Sequence, residues 1–208
     1  MFTGIPVAAL DFYEDLEADN SKAWWTAHKD VYDHSVREPI TALAAELESE
    51  FGAAKVFRPY RDVRFSKDKT PYKTAQGAFA AVAPSTGYYI QVDASGLVLA
   101  GGCYHGSTEQ IGRYRAAVDR EDRGKKLERI LAKLRKAGFE IGGERLKTVP
   151  RGYDADHPRI ELLRHKSLTA RINVGCPDWL ETPQALDEVR ASWRALRPLV
   201  QWLHEAVG

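Results

Sequence analysis

The sequence predicts a single α+β domain over residues 1–208, with a central antiparallel sheet flanked by N-terminal, middle and C-terminal helices. Three observations point there. Apolar residues recur at three- and four-residue spacing in the first quarter, a two-residue alternation punctuated by turns takes over from Phe57 to Tyr104, and helical spacing returns to the C-terminus. At 208 residues, 44% hydrophobic and 28% charged, the chain can bury a core without disulfides or metals, which argues against collagen-like, low-complexity and disordered classes.

Pro6 suits a first helical turn, and Val7, Leu10 and Tyr13 or Leu16 follow at helical spacing. Asp19 to Ser21 should cap a second helix carrying Trp24, Trp25, His28, Val31 and Tyr32. A third should begin near Pro39, carry Ile40, Leu43, Leu47 and Phe51, and stop at Gly52. Phe57, Val63 and Phe65 alternate with Arg58, Tyr60, Asp62 and Arg64 as a strand would. Further strands are expected at Ala78 to Ala83, Tyr88 to Asp93 and Leu97 to Tyr104, with a hairpin at Asp93-Ala94-Ser95-Gly96. Small residues from Gly77 to Ala83 leave room for a helix. Helices follow at Thr108 to Val118 and Asp122 to Ala137, the second with Leu127, Ile130, Leu131 and Leu134 inside and Lys125, Lys126, Arg129, Lys133 and Lys136 outside. Gly142-Gly143 suggests a turn between Phe139–Ile141 and Arg145–Lys147, Pro158 a helix start, and Ser167 to Val174 a strand. The stripe Leu186, Val189, Trp193, Leu196, Val200 and Leu203 predicts a closing helix, kinked or restarted at Pro198.

Thirty Lys and Arg against 29 Asp and Glu leave a net charge of +1, so the chain as a whole is no polycation. Charge is nevertheless segregated. Met1 to Ala54 holds eleven acidic residues against three basic, whereas Lys55 to Lys73 holds seven basic against Asp62 and Asp68, and Arg145 to Arg171 seven basic against three acidic. Mutual pairing of these blocks is the simplest expectation. Cys103 and Cys176 are too few and too far apart for CxxC or a disulfide scaffold, so a reducing cytoplasm is expected. Met1 to Leu10 has no basic leader region, and no stretch reaches the roughly 18 apolar residues of a membrane span, so a soluble protein without a membrane partner is expected.

The densest chemistry lies in Phe57 to Lys73. On the strand reading Arg58, Tyr60, Asp62, Arg64 and Ser66 share a face, and Arg58 and Arg64 suit bidentate binding of carboxylate or phosphate. Arg61 interrupts the apolar face and needs a carboxylate or carbonyls, expected from the acidic helices. Lys67, Lys69 and Lys73 with Thr70 and Tyr72 surround Pro71, where a restricted backbone and convergent donors favour an anion; the competing reading has solvated lysines and Asp68 capping a turn. The absence of GxxxxGK[ST] and GxGxxG argues against a P-loop or dinucleotide site.

Leu146 to Pro158 forms a second cluster, with Lys147 and Arg151 as candidate anion ligands. Asp156 and His157 are candidates for proton transfer, or Asp156 simply caps the helix. Asp154, Asp156 and His157 would hold a metal only with help from elsewhere, so no metal or cofactor is expected. Cys103 and His105 share a strand face, which allows a thiol–imidazole pair, although a small buried cysteine is the commoner arrangement. His28, His34, His165 and His204 and the five tryptophans are explained by packing.

The string Arg61-Asp62-Val63-Arg64-Phe65-Ser66-Lys67-Asp68-Lys69-Thr70-Pro71-Tyr72-Lys73, with Leu146 to Tyr153 and Asp156-His157-Pro158, resembles the domain of unknown function 2461 family of bacteria and fungi. The similarity extends to Asn20–Trp24, Gly102–Tyr104 and Arg197–Leu203. The resemblance implies no activity, and it does not reserve position 103 for cysteine. The favoured function is binding of a small phosphate- or carboxylate-bearing ligand between the two basic clusters, with Tyr60 and Tyr72 shaping the pocket, in an enzyme or a binding protein. The alternatives are a nucleic-acid or protein-interaction module using Lys55 to Lys73 with Lys125 to Lys136, and a purely structural ion-pair lattice.

Overall fold

A computed structural model describes residues 1–64 and 67–207; the expected strand positions Phe65 and Ser66 lie outside them. The fold is α+β, with a six-stranded antiparallel sheet of order β1-β2-β3-β4-β6-β5. Its strands are β1 (Ala54–Val56), β2 (Ala75–Ala83), β3 (Thr86–Asp93), β4 (Gly96–Cys103), β5 (Glu140–Gly142) and β6 (Leu168–Gly175). The helices are α1 (Ala8–Ala18), α2 (Lys22–Ala27), α3 (Lys29–Val31), α4 (Glu38–Phe51), α5 (Thr108–Asp119), α6 (Glu121–Lys136), α7 (Ile160–Leu163) and α8 (Gln184–Val207), with a π-helical turn at Tyr32–Arg37 and a 3-10 turn at Asp178–Glu181. Two compact units emerge: Met1–Ala80 with Tyr89–Leu99 and Asn173–Ala191, and Ala81–Tyr88 with Ala100–Ile172 and Ser192–Gly208.

In the first unit, α1 buries Leu10, Phe12, Tyr13 and Leu16, and the Ser21 hydroxyl caps α2 by accepting from the Trp24 N–H. The chain does not break before Pro39. It runs from α3 through the π-helical turn into α4, which Gly52 ends at φ +86°. The strand expected over Phe57 to Phe65 lies earlier, at β1. Phe57 makes one further ladder bond, to the Gly77 carbonyl at 2.9 Å, and then Pro59, which has no N–H to donate, marks the departure from the sheet. The small residues of β2 do not admit a helix at Gly77; the Tyr89 ring from β3 occupies that space. The β3–β4 hairpin forms as predicted, with the Ser95 N–H donating to Asp93 Oδ1 at 2.8 Å and Gly96 at φ +112°.

In the second unit, Ser107 and Gln110 build a reciprocal capping box on α5, and α6 buries Leu127, Ile130, Leu131 and Leu134 while its five predicted cations face outward. Gly142-Gly143 is not a hairpin turn. β5 pairs with β6, Gly143 bulges at φ +116° against the Ser167 backbone, and the pairing resumes at Arg145 with His165, one residue out of register. α7 starts at Ile160 rather than Pro158, with no side-chain cap, so Asp156 caps nothing there. α8 continues through Pro198 rather than restarting.

Candidate functional site

The first unit holds a cleft of about 440 Å³ lined by residues of α2, α3, the π-helical turn, α4 and the Val56–Tyr60 segment. A π-turn carries one extra residue per turn, and such turns recur at functional sites. Here Tyr32, Asp33 and Arg37 from that turn all reach the lining, with Trp25 and Lys29 before them and Arg58, Pro59 and Tyr60 opposite. A buried amide secures the two sides: Tyr32 Oη donates to Gln76 Oε1 at 2.6 Å, and Gln76 Nε2 donates to the Phe57 and Gly77 carbonyls at 2.8 and 2.9 Å. Burial pushes the Tyr32 phenol up to about 12, so it is a donor at neutral pH.

Trp25 stacks on Tyr72 with ring centroids 4.1 Å apart and planes 7° from parallel, and Tyr60 leans over Tyr72 at 5.5 Å. Asn20 fixes Tyr72 by accepting from its N–H and donating to its carbonyl, both at 3.1 Å. Trp25 is 4% exposed. Among the described residues its Nε1–H has no hydrogen-bond partner, and neither has Asp33 Oδ1, whose sister oxygen takes the Lys29 ammonium. Each such buried orphan costs about 1–3 kcal/mol.

Of the sequence-predicted site residues, the structure brings Arg58 and Tyr60 to this cleft, and Tyr72 supports it through Trp25. Lys67 apart, the rest of the first cluster is engaged within its own loop. Arg64 forms a fork on Asp62, at 2.9 Å through Nε and 2.7 Å through Nη2, and Arg61 pairs with Asp68 and Thr70. Lys69 donates to the Val63 carbonyl at 2.8 Å, and Lys73 donates to the Arg58 carbonyl at 2.9 Å while lying over the Phe57 ring. Partial burial, followed by the Arg58 charge, lowers the Lys73 pKa. Asp68 Oδ1 accepts the Thr70 N–H and hydroxyl, which is the turn cap of the competing reading. Arg61 is exposed, and its carboxylate comes from this loop and not from the acidic helices. The mutual pairing expected between charge blocks thus gives way, for the described ion pairs of this loop, to pairing at short range. Lys67 is exposed.

Lys147, Arg151 and Asp156 are exposed in the second unit. His157 is oriented by Asp119, not by the adjacent Asp156. The Arg159 N–H donates to His157 Nδ1 at 3.0 Å, placing the ring proton on Nε2, which donates to Asp119 Oδ1 at 3.1 Å. Acid–base work by His157 would require it to surrender one of these bonds. Arg159, 6% exposed, donates to the Val118 and Asp119 carbonyls and to Glu121, closing the α5–α6 junction. Cys103 is buried and its thiol faces the His105 carbonyl at 3.4 Å, while the His105 ring is exposed, so the thiol–imidazole pair does not form. Sequence reasoning missed Trp25, Asp33, Arg37 and Gln76 as a group; apolar periodicity marks them only as helix and strand positions.

Among the described residues no group of three or more His, Cys, Asp or Glu could hold a metal, and no helix is long and apolar enough to cross a membrane. No curated protein is significantly similar to the chain. A solved structure of an uncharacterized protein from Methanothermobacter thermautotrophicus is similar at 12% identity and a TM-score of 0.42, covering 83% of this chain and 99% of that one. The family model described as "Conserved hypothetical protein (DUF2461)" matches residues 8–202, nearly the whole length, and the chain belongs to that family.

Proposed function

We propose that the protein binds a small phosphate- or carboxylate-bearing ligand in the cleft of the first unit. The observation that carries this reading is the charge of the lining: Lys29, Arg37 and Arg58 share it with one carboxylate, Asp33, already paired to Lys29. Among the described residues neither Arg37 nor Arg58 takes part in an ion pair, and a cleft with a surplus of cations concentrates anions. Titration of phosphate, sulfate and citrate into the full chain at low salt, followed by calorimetry and melting temperature, tests it. Arg37→Ala and Arg58→Ala should each weaken binding about tenfold, the loss of one charge-assisted contact, with little change in melting temperature. If no anion binds or protects against heat, the proposal falls. Single alanine substitutions at Arg64, Lys67, Lys69, Lys73, Lys147 and Arg151 report whether each contributes.

A second reading, that the Phe57 to Lys73 cluster is structural, is favoured by the pairing of its arginines and lysines inside the loop. It predicts that Arg64→Ala loosens the loop without touching anion affinity. Polynucleotide binding that falls steeply with salt would favour the interaction module instead.

A further inference from the structure

The cleft offers more than positive charge. Among the described residues Trp25 Nε1–H is a buried donor without an acceptor and Asp33 Oδ1 a buried acceptor without a donor, and both residues line the same 440 Å³ space as Arg37 and Arg58. A carboxylate or a fully ionised phosphate monoester can accept from Trp25 but has no proton for Asp33. An ammonium can donate to Asp33 but cannot accept from Trp25. A hydroxyl does both. From this pair of opposite orphans we infer that the ligand is a hydroxylated anion, a polyol phosphate or a sugar acid, with its anionic end on Arg37 and Arg58 and a hydroxyl group on Trp25 and Asp33.

This rests on the anion reading above and adds the class of molecule. Both orphan atoms are shielded from solvent, while Lys29, paired with Asp33, and Arg37 are long, exposed side chains of the same lining that can reposition around a ligand. Specificity then follows from the cost of leaving buried polar atoms unpaired: an analogue lacking the hydroxyl leaves both orphans in place, and sites built to bond a hydroxyl discriminate strongly against its absence. The aromatic wall of Trp25 and half-exposed Tyr60 supplies the apolar surface against which a carbon chain packs.

Two matched pairs of probes test the inference by calorimetry on the full chain: glycerol 3-phosphate against propyl phosphate, and glycerate against propionate. In each pair in which the anion binds, the hydroxylated member should bind at least tenfold more tightly. Trp25→Phe keeps a ring over Tyr72 but removes the N–H. It should bring the paired affinities to within about threefold, the hydroxylated member losing more than its partner. Asp33→Ala is the second variant: it frees Lys29 and so should raise the affinity of all four anions, while bringing the two members of each pair to within about threefold. Equal affinities within each pair for the wild type, or a preference that survives both substitutions, would overturn the hydroxyl assignment while the anion reading stands. If none of the four probes binds, the anion reading fails and this inference with it.

Discussion

The Arg159 guanidinium fills the space that a side chain at Gly124 would need: a Cβ built on Gly124 would strike Arg159 Nε and the Val118 carbonyl to which that nitrogen donates at 2.9 Å. α5 ends and α6 begins within two residues, so the last carbonyls of α5 need partners from outside the helix, and Arg159 supplies two of them. Glycine in α6 is what lets it approach.

The sign of a Gly124→Ala substitution is therefore diagnostic. In an unencumbered helix interior this change stabilises by about 1 kcal/mol. Here it should destabilise, because Ala cannot coexist with Arg159 in its present place. Arg159→Ala should cost about 2–4 kcal/mol by leaving two backbone carbonyls unpaired in a buried junction. Urea unfolding of the two variants measures both, and a stabilised Gly124→Ala would show that the junction is loose.

His157 should exist as the Nε2–H tautomer, since its Nδ1 accepts from a backbone N–H. Nitrogen-resolved NMR of the histidine rings reads this directly. Asp119→Asn should move the His157 signals and Asp156→Asn should leave them in place, because Asp119 alone of the two touches the ring. The opposite pattern would restore the pairing of neighbours that the sequence suggests.

These residues show where the sequence was legible. α6 and α8 could be read because burial follows helical spacing, and β3 with β4 because a turn of Asp and Gly separates two apolar runs. β1 was misplaced because a chain of alternating Arg and apolar residues looks like a strand whether its charges face solvent or one another, and only the loop geometry, with Asp62 and Asp68 two to seven residues from their arginines, distinguishes the cases. Gly124, alone among the apolar and charged residues of a helix, is a sign of close approach that the sequence reading passed over. Arg159, its partner, was not, because its burial depends on carbonyls 40 residues away. The cleft escaped notice because a π-turn has no apolar signature and because unpaired polar atoms exist only in three dimensions.

Asp68 ties the loop together through Thr70 and Arg61. The Thr70 N–H and hydroxyl, then the Arg61 guanidinium, hold its carboxyl below the usual carboxylate range. A carboxylate with a lowered folded-state pKa stabilises fully above its ordinary value and loses that contribution as pH falls through the folded value. Proteolytic nicking between Arg58 and Lys73 should rise as pH drops below the ordinary carboxylate range, and Asp68→Ala should show the same nicking at neutral pH. An unchanged cleavage rate in the variant would mean that something else orders the loop.

His165 is a buried titratable group of the second unit. It is 5% exposed; burial is the main cause lowering its pKa, with the Arg145 and Arg135 charges acting the same way, while its bond to the Ser167 carbonyl and the Glu161 charge act in the other direction. The folded state thus prefers the neutral ring, and the unfolded chain takes up a proton near the ordinary value of 6.5. Between that value and the lower folded one the unfolded state binds more protons, so stability falls as pH falls. His165→Gln, which preserves a donor for the Ser167 carbonyl, should be less stable than the wild type at pH 8 through lost packing, yet the gap between them should narrow as pH is lowered from 7 to 5 because the variant has no proton to take up there. Melting curves across that range decide it: a gap that stays constant would show that His165 carries no proton-linked free energy.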